Sequence, residues 1–359
     1  MKFTQKSITI CLVTASAILI SSGAQADAII SNGTVQIGVR DLGDLNVPGG
    51  ALSGPSGTDI VGLRDVATGS DSTSPGCTCE GWGAGIKDFT VPGNNVSGFA
   101  NSAVGNGNVS LVNFSFDSTN TSAVSIVNVL GATGGAILQV KHDYHPIAVT
   151  PYLYAVDVSI TNLSGTNLAP GQLVYRRVMD WDVPFPSSEH VDLQGVPALL
   201  GIANGNNVRR TDNNGFNSGD PFSFNPFGLT DVNFTNATGD IGALFDFEFD
   251  ALANGATRTF TTYYGAAPDK ATADIARSLV NAGLYSYGYP SIGTFPPGSA
   301  AIDTTLGTPV TFIFGFGGAG GVLDPVVPGV PSAVPEPATL SILCLGLVSL
   351  GWSRRRKVS

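Results

Sequence analysis

Charged side chains are scarce in this chain of 359 residues: Asp, Glu, Lys and Arg together make up 12%, about half of the usual share. Histidine occurs three times and methionine twice. The sequence is nevertheless 43% hydrophobic and contains 46 glycines, which is enough apolar material to bury a core. This composition argues against disorder along the whole chain and indicates a globular body rich in loops.

The short motifs of the common enzyme classes are missing as well. The sequence contains no H-E-x-x-H zinc motif, no G-x-S-x-G nucleophile elbow and no phosphate-binding loop. In "KHDYHP", His142 and His145 are three residues apart, so on a strand they point to opposite faces and are poorly placed to share one metal. We expect them, and His190, to be ordinary loop or edge residues, and we expect no intrinsic catalysis.

Cysteine is rare and unevenly placed. Cys11 and Cys344 lie in the apolar runs near the two ends, so only Cys77 and Cys79, in "SPGCTCEGWG", belong to the body. A single C-x-C cannot supply a four-thiolate zinc site. In an oxidising compartment the pair can form a local disulfide, whose tiny loop gives little entropic stabilisation. Free thiols and a link to another chain are the alternatives.

Basic residues are concentrated at the two ends of the chain. Of 17 Lys and Arg residues, two lie at positions 2 and 6 and four lie at 354–357, while all 27 Asp and Glu residues lie between Asp27 and Glu336. The body is therefore more acidic than the net charge of −10 suggests. Such a surface repels phosphate backbones and excludes nucleic acid as a partner; it suits divalent cations or simple solubility.

The N-terminus has the pattern of a signal peptide at residues 1–26. Lys2 and Lys6 form a basic region, "ITICLVTASAILI" is a short apolar region, and "AQA" at 24–26 offers small residues for cleavage by signal peptidase before Asp27. An uncleaved anchor is the alternative.

A second apolar run, at residues 338–352, is followed by the basic cluster Arg354, Arg355, Arg356 and Lys357. A helix of this length spans roughly 22 Å, less than the hydrocarbon core of about 30 Å. Basic residues behind such a helix stay in the cytoplasm, so this short transmembrane helix would hold an exported body temporarily. The proline-rich residues 322–334 before it, within "LDPVVPGVPSAVPEP", favour an extended spacer.

Pro335-Glu336-Pro337, a short apolar helix and a terminal basic cluster, in that order, resemble the PEP-CTERM sorting signal, here at 335–359. The resemblance implies a Gram-negative exported protein cleaved near Pro335, Glu336 and Pro337 by exosortase, a membrane-embedded protease or transpeptidase. It also implies an association with exopolysaccharide and biofilm. We therefore expect a membrane-tethered intermediate and then a protein at the cell surface or outside the cell. A plain C-terminal membrane anchor is the alternative.

The body, residues 27–321, has the alternating pattern of β-strands. In "YLYAVDVSITN" (152–162) apolar residues recur at every second position, and similar segments begin near 108, 122, 136, 173, 242, 256 and 308. Clusters of Gly, Asn, Asp and Ser between them are typical of turns. We predict an all-β fold, a large antiparallel β-sandwich with one peripheral helix. Two smaller sandwiches divided near 145–150 are the alternative.

The predicted helix lies in "PDKATADIARSLVNAGLYS". Asp269 is the expected N-cap. Ala271, Ile275 and Leu279 share the face that we expect to pack on the sandwich. Gly283 is the expected left-handed residue after the helix.

The stretch "RRVMDWDVP" is the most suggestive of chemistry. Asp180 and Asp182 share one face of a strand, where they could bind Ca²⁺ or act as a glycosidase pair, with Trp181, Tyr175 and Tyr152 as a sugar-stacking surface. Alternatively, the arginines pair with the aspartates and Trp181 fills the core.

The oxygen-rich "TDNNGFNSGD" (211–220) breaks calcium-loop spacing at Phe216 and is interpreted as a polar turn.

Two functions are consistent with these sequence features. The protein is either a non-catalytic surface or matrix protein, or a secreted carbohydrate-binding or carbohydrate-active protein that uses residues 180–182.

Overall fold

The computed structural model describes residues 27–49, 59–73, 76–101, 110–183, 189–195, 207–290 and 307–317. The predicted signal peptide, spacer, C-terminal helix, sorting motif and basic cluster lie outside these residues. Within them the protein consists of antiparallel strands and one short α-helix, which confirms the predicted all-β class. No helix among the described residues is long and apolar enough to cross a membrane.

The larger sheet has nine strands and forms one wall of the body. In spatial order they are β13 (Phe234–Thr238), β11 (Glu189–Gln194), β16 (Leu284–Pro290), β17 (Thr311–Gly317), β15 (Thr257–Ala267), β9 (Leu153–Asn162), β8 (Ala136–Pro146), β7 (Ala123–Leu130) and β6 (Leu111–Ser118). β8 and β9 are neighbours in this sheet. Residues 145–150, the alternative domain boundary, therefore join two strands of one sheet.

Two smaller sheets complete the strand structure of the described residues. The five-stranded sheet contains, in order, β12 (Val208–Asp212), β14 (Gly242–Glu248), β10 (Leu173–Asp180), β4 (Glu80–Ile86) and β5 (Val96–Asn101). The three-stranded sheet contains β1 (Ala28–Ser31), β2 (Val35–Val39) and β3 (Leu63–Asp65).

The main core lies between the nine-stranded and five-stranded sheets. Tyr175 of β10 meets Phe260 of β15 edge-on, with ring centroids 5.1 Å apart, and Phe245 of β14 lies 4.9 Å from Phe316 of β17. Because such aromatic pairs add about 0.5–1.5 kcal/mol to the burial itself, they fix how the two sheets face each other. The two sheets thus form the predicted sandwich.

A polar network crosses this core. Arg177 of β10 donates from Nε to Glu80 Oε1 at 2.6 Å and from Nη2 to the Tyr144 hydroxyl at 3.1 Å. The Tyr264 hydroxyl also donates to Glu80 Oε1, at 2.9 Å. All four side chains are fully buried. Because they come from four different strands, no local sequence pattern predicts the network.

The helix α1 (Lys270–Leu279) packs on the outer face of the nine-stranded sheet. Asp269 caps it as predicted, because its Oδ1 accepts the N–H of Thr272 at 2.7 Å. The predicted buried face is wrong: Ile275 is 63% and Leu279 47% exposed. Ala273 and Ala276 are buried instead, since small side chains let the helix lie close to the sheet.

The helix also ends earlier than predicted. Asn281, with φ 52°, is the left-handed residue in place of Gly283; asparagine tolerates this conformation. The N–H of Ala282 donates to the carbonyl of Arg277 at 3.3 Å, and the N–H of Asn281 donates to that of Ser278 at 3.2 Å. This is the Schellman pattern, and the chain then enters β16.

Candidate functional site

The candidate site forms where β4 begins and β10 ends. These strands are antiparallel neighbours, and the backbone N–H of Asp180 donates to the carbonyl of Cys79 at 2.8 Å. The C-T-C segment (residues 77–79) therefore lies alongside the D-W-D segment (residues 180–182). Two motifs far apart in the sequence, each noted there for its chemistry, meet in the fold.

A disulfide joins Cys77 and Cys79. Cys77 is half-buried, whereas Cys79 is buried, with 4% of its surface exposed. The Sγ atom of Cys77 lies 3.5 Å from Oδ2 of Asp180. This Sγ and one oxygen from each of Asp180 and Asp182 all lie within 4.8 Å of one another.

Asp180 is fully buried and has no cationic partner among the described residues. Its Oδ1 has no hydrogen-bond partner in that part of the chain. Burial, together with the negative charges of Asp182, Asp240 and Glu189, raises the pKa of Asp180 to about 9. Asp180 therefore holds its proton at neutral pH.

The acidic groups around Asp180 are closer to solvent. Asp182 and Glu189 are half-buried and Asp240 is exposed. Burial, together with neighbouring acidic groups, raises the pKa of Asp182 and that of Glu189 to about 7. Neither Glu189 nor Asp240 was predicted, because nothing in the sequence shows that the first residue of β11 and the turn before β14 lie near Asp180. We call Asp182, Glu189 and Asp240 the acidic rim, because the charges of all three act on Asp180.

The two arginines of β10 do not pair with the D-W-D aspartates. Arg176 forms a two-pronged ion pair with Asp246 of β14, at 2.6 Å and 2.9 Å, and Arg177 pairs with Glu80. The expected cross-strand pairing thus exists with other acidic partners, and neither arginine supplies a counter-charge to Asp180.

The proposed sugar-stacking aromatic residues do not form one surface. Trp181 is fully buried; its Nε1 donates to Ser286 Oγ at 2.9 Å, and its ring lies against Gly288, where an added Cβ would come within 2.5 Å. Tyr175 is buried in the main core, and Tyr152 packs with the residues on the helix side of the large sheet. Trp181 and Tyr175 are thus both buried in the main core, and Tyr152 lies in a separate cluster.

The oxygen-rich segment 211–220 is a folded polar turn that covers Asp180. Asp212 Oδ1 accepts the N–H of Asn214 at 2.8 Å, and Asn214 Oδ1 accepts that of Phe216 at 3.0 Å. Gly215 lies directly on Asp180: an added Cβ would be 2.4 Å from both Cα and Oδ1. The turn therefore closes the Oδ1 side of the carboxyl group.

The histidines lie apart from one another. His142 is fully buried, 3.1 Å from the Tyr175 hydroxyl through Nε2, and burial keeps its pKa well below the usual value. His145 faces outward and bonds Asp157 at 3.1 Å. His190 stacks on Tyr289. His142 and His145 thus occupy opposite faces of β8, as expected for a strand.

The C-terminal residues place the chain among exported proteins that are sorted through their C-terminus. Residues 333–357 match the PEP-CTERM protein-sorting motif, so the chain carries the sorting signal of an exosortase substrate that is directed to the cell surface. The match begins two residues before the predicted boundary and includes Pro335, Glu336, Pro337, Arg354, Arg355, Arg356 and Lys357. No curated protein matches the chain.

Proposed function

We propose that the β-sandwich is the cargo of this sorting signal: a surface or matrix protein, associated with exopolysaccharide and biofilm, without intrinsic catalysis. Signal peptidase releases the N-terminus, the C-terminal helix tethers the body to the membrane, and exosortase then cuts near Pro335. The body is left at the cell surface or outside the cell.

The burial of the D-W-D segment is the observation that carries this proposal. A carbohydrate-active site needs carboxyl groups in an open cleft with aromatic faces beside them. Here Asp180 and Trp181 are fully buried, and Gly215 and Gly288 pack against them. The Trp181 side chain bonds Ser286 of β16, and Asp180 is closed in under the turn at Gly215, which is the arrangement of a structural protein.

The carboxyl pair itself supports the second candidate, a carbohydrate-binding or carbohydrate-active protein. Oxygens of Asp180 and Asp182 lie within 4.8 Å of each other, and retaining glycosidases use carboxyl groups about 5–5.5 Å apart. The test is whether the purified protein releases reducing sugar from the exopolysaccharide of the producing cell. Release that is lost in Asp182→Asn would favour this candidate over a structural role.

The sorting step is tested by replacing Pro335, Glu336 and Pro337 with alanine. The variant should persist as a longer form in the membrane fraction on an immunoblot, because exosortase no longer cuts it. The matched control replaces Pro325, Pro328 and Pro331 with alanine. This change keeps the chain length and leaves the sorting motif intact. An unchanged mature size in the motif variant would contradict processing at this site.

Matrix association needs a separate measurement. Cells expressing the natural chain are fractionated into envelope, soluble medium and precipitated exopolysaccharide, and the mature body is followed by immunoblot. We expect it in the exopolysaccharide fraction, and in the membrane fraction for the motif variant. Recovery of the mature body as free protein in the medium would contradict the association without affecting the sorting result.

A further inference from the structure

We propose that Lys270 and Asp192 condense to form an isopeptide bond, while the Tyr289 hydroxyl and the backbone N–H of Asn236 hold the reacting carboxyl group. The bond is a covalent cross-link between helix α1 and strand β11 of the exported body. This inference goes beyond the surface role proposed above and does not depend on it.

The amine and the carboxyl group are in direct contact on the outer face of the nine-stranded sheet. Lys270 is the first residue of α1 and Asp192 lies in β11, and the lysine Nζ atom contacts the aspartate Oδ2 atom. The Nζ atom also lies 5.2 Å from the centre of the Tyr289 ring. The lysine side chain is 21% exposed and the aspartate side chain 4%. The contact is therefore shielded, yet the water released by condensation has a way out along the lysine.

The other carboxylate oxygen of Asp192 accepts two hydrogen bonds. The Tyr289 hydroxyl donates to Oδ1 at 2.8 Å, and the backbone N–H of Asn236 donates to the same oxygen at 2.8 Å. Burial raises the pKa of Tyr289 well above its usual value, so the hydroxyl keeps its proton and remains a donor. Two donors at this distance stabilise an oxygen on which negative charge develops. They hold Oδ1 in place, which leaves Oδ2 as the oxygen that departs.

An irregularity in the sheet directs the Asn236 donor toward Asp192. Between the paired residues that flank Asp192, β13 contributes two residues, Thr235 and Asn236, where β11 contributes one. Asn236 has φ 56°, a left-handed conformation that asparagine tolerates. Bulges of this kind interrupt the ladder and redirect the groups beside them. The N–H of Asn236 consequently bonds the aspartate side chain.

The condensation balances without another reagent. One proton passes from the Nζ ammonium of Lys270 to Oδ2 of Asp192, which leaves a neutral amine and a neutral carboxyl group. The amine, a nucleophile already held beside its target, attacks Cγ, and the two donors stabilise the negative charge on Oδ1. A second proton moves from Nζ to Oδ2, the Cγ–Oδ2 bond breaks, and the carbonyl re-forms at Oδ1. One ammonium and one carboxylate become one amide and one water molecule.

A second lysine–aspartate pair in the same sheet provides an internal comparison. Lys141 Nζ lies 2.7 Å from Asp143 Oδ2 in β8, and both side chains are partly exposed. Within the described part of the chain, no hydroxyl and no backbone N–H donates to the Asp143 carboxylate. We expect this pair to stay an ordinary ion pair, because contact with an ammonium does not by itself stabilise the charge that develops on the second oxygen.

The test is peptide mapping of the mature body, purified from the cells that export it. After digestion with trypsin, mass spectrometry searches for the peptides of Lys270 and Asp192 joined to each other and lighter by one water molecule than their sum. The matched variant is Lys270→Arg, which keeps the positive charge of the ion pair but has no amine to condense. The same digest shows whether Lys141 and Asp143 have lost water.

We expect the joined peptides in the natural body and only separate peptides in Lys270→Arg. Tyr289→Phe removes one donor to the reacting carboxyl group and should slow the cross-linking by roughly a hundredfold, as the loss of one such donor does in other sites. The rate is followed by mapping samples taken after a pulse of labelled synthesis. The control is Tyr287→Phe, because the Tyr287 hydroxyl bonds Arg277 and Asp274 instead; this variant should cross-link at the natural rate.

Two results would overturn the proposal. One is recovery of Lys270 and Asp192 only on separate peptides from the folded natural body, which would make the contact a plain ion pair. The other is equal cross-linking rates in Tyr289→Phe and Tyr287→Phe, both folded by circular dichroism, which would remove the Tyr289 hydroxyl from the reaction.

Discussion

The guanidinium of Arg177 lies 2.6 Å from the carboxylate of Glu80, measured from Nε to Oε1, and both side chains are fully buried between the two sheets. Tyr144 and Tyr264 complete the network by hydrogen bonds to the arginine and the glutamate. Because burial of a charge is costly unless it is paired, each member of this pair depends on the other.

Glu80→Gln should therefore destabilise the body by about 3–5 kcal/mol, since it leaves a buried arginine without its counter-charge. The matched control is Asp143→Asn, which breaks the partly exposed pair of Asp143 with Lys141 on β8; ion pairs near the surface contribute about 0–1 kcal/mol. Chemical denaturation of the three proteins measures both. A loss for Glu80→Gln no larger than that for the control would show that the pair contributes little.

The strand pattern made the architecture predictable, but it did not reveal the site. Alternation in "YLYAVDVSITN" placed β9 correctly, with Tyr154, Val156, Val158 and Ile160 in the core. Alternation reports only which side of a strand is apolar. It could not show that Gly215 would close over Asp180, or that Arg176 would take Asp246 as its partner across the sheet.

The helix shows a second limit. The sequence identified its cap, Asp269, because capping is a local interaction between neighbours in the chain. Its buried face was predicted from the large residues Ile275 and Leu279, while the sheet accepts the small residues Ala273 and Ala276. The buried face of the helix depends on the shape of the sheet surface against which it packs. The sequence of the helix alone does not give that shape.

Asp180, Asp182 and Glu189 predict a stability that falls as pH rises. Their folded pKa values, about 7 for Asp182 and Glu189 and about 9 for Asp180, lie above the unfolded values near 4. The folded state therefore holds more protons than the unfolded state, and stability decreases between about pH 4 and pH 9. Denaturation midpoints measured across this range, with the disulfide closed, test the sign.

Asp180→Asn isolates the part that belongs to one residue. The variant cannot ionise, so it should be more stable than the natural protein near pH 9 and should lose less stability between about pH 7 and pH 9. Asp157→Asn is the control, because a hydrogen bond from His145 lowers the pKa of Asp157 and its ionisation is complete well below this range. Equal pH dependence in the natural protein and Asp180→Asn would contradict the assignment.

Calcium binding by Asp180 and Asp182 stays a prediction from the sequence, and the raised pKa values give it a direction. Calcium needs ionised oxygen ligands, so protons compete with it here. Added calcium should leave the melting temperature unchanged near pH 6 and raise it near pH 9. At a hundredfold excess of calcium over Kd, the free energy of unfolding should increase by about 2.7 kcal/mol. Asp182→Asn should remove the effect, and no shift at either pH would dismiss calcium.

Gly288 determines how Trp181 is buried beside the site. A Cβ at this position would come within 2.5 Å of Trp181 Cδ2, so Gly288→Ala forces the indole away from β16 and strains its bond to Ser286 Oγ. We expect a loss of roughly 1–3 kcal/mol, as for other overpacked cores, measured by chemical denaturation. Gly283→Ala is the control, because an added Cβ there meets nothing within 4 Å. If Gly288→Ala were as stable as Gly283→Ala, the indole would not be fixed by this contact, and the closed D-W-D segment that argues for a structural body would lose its main support.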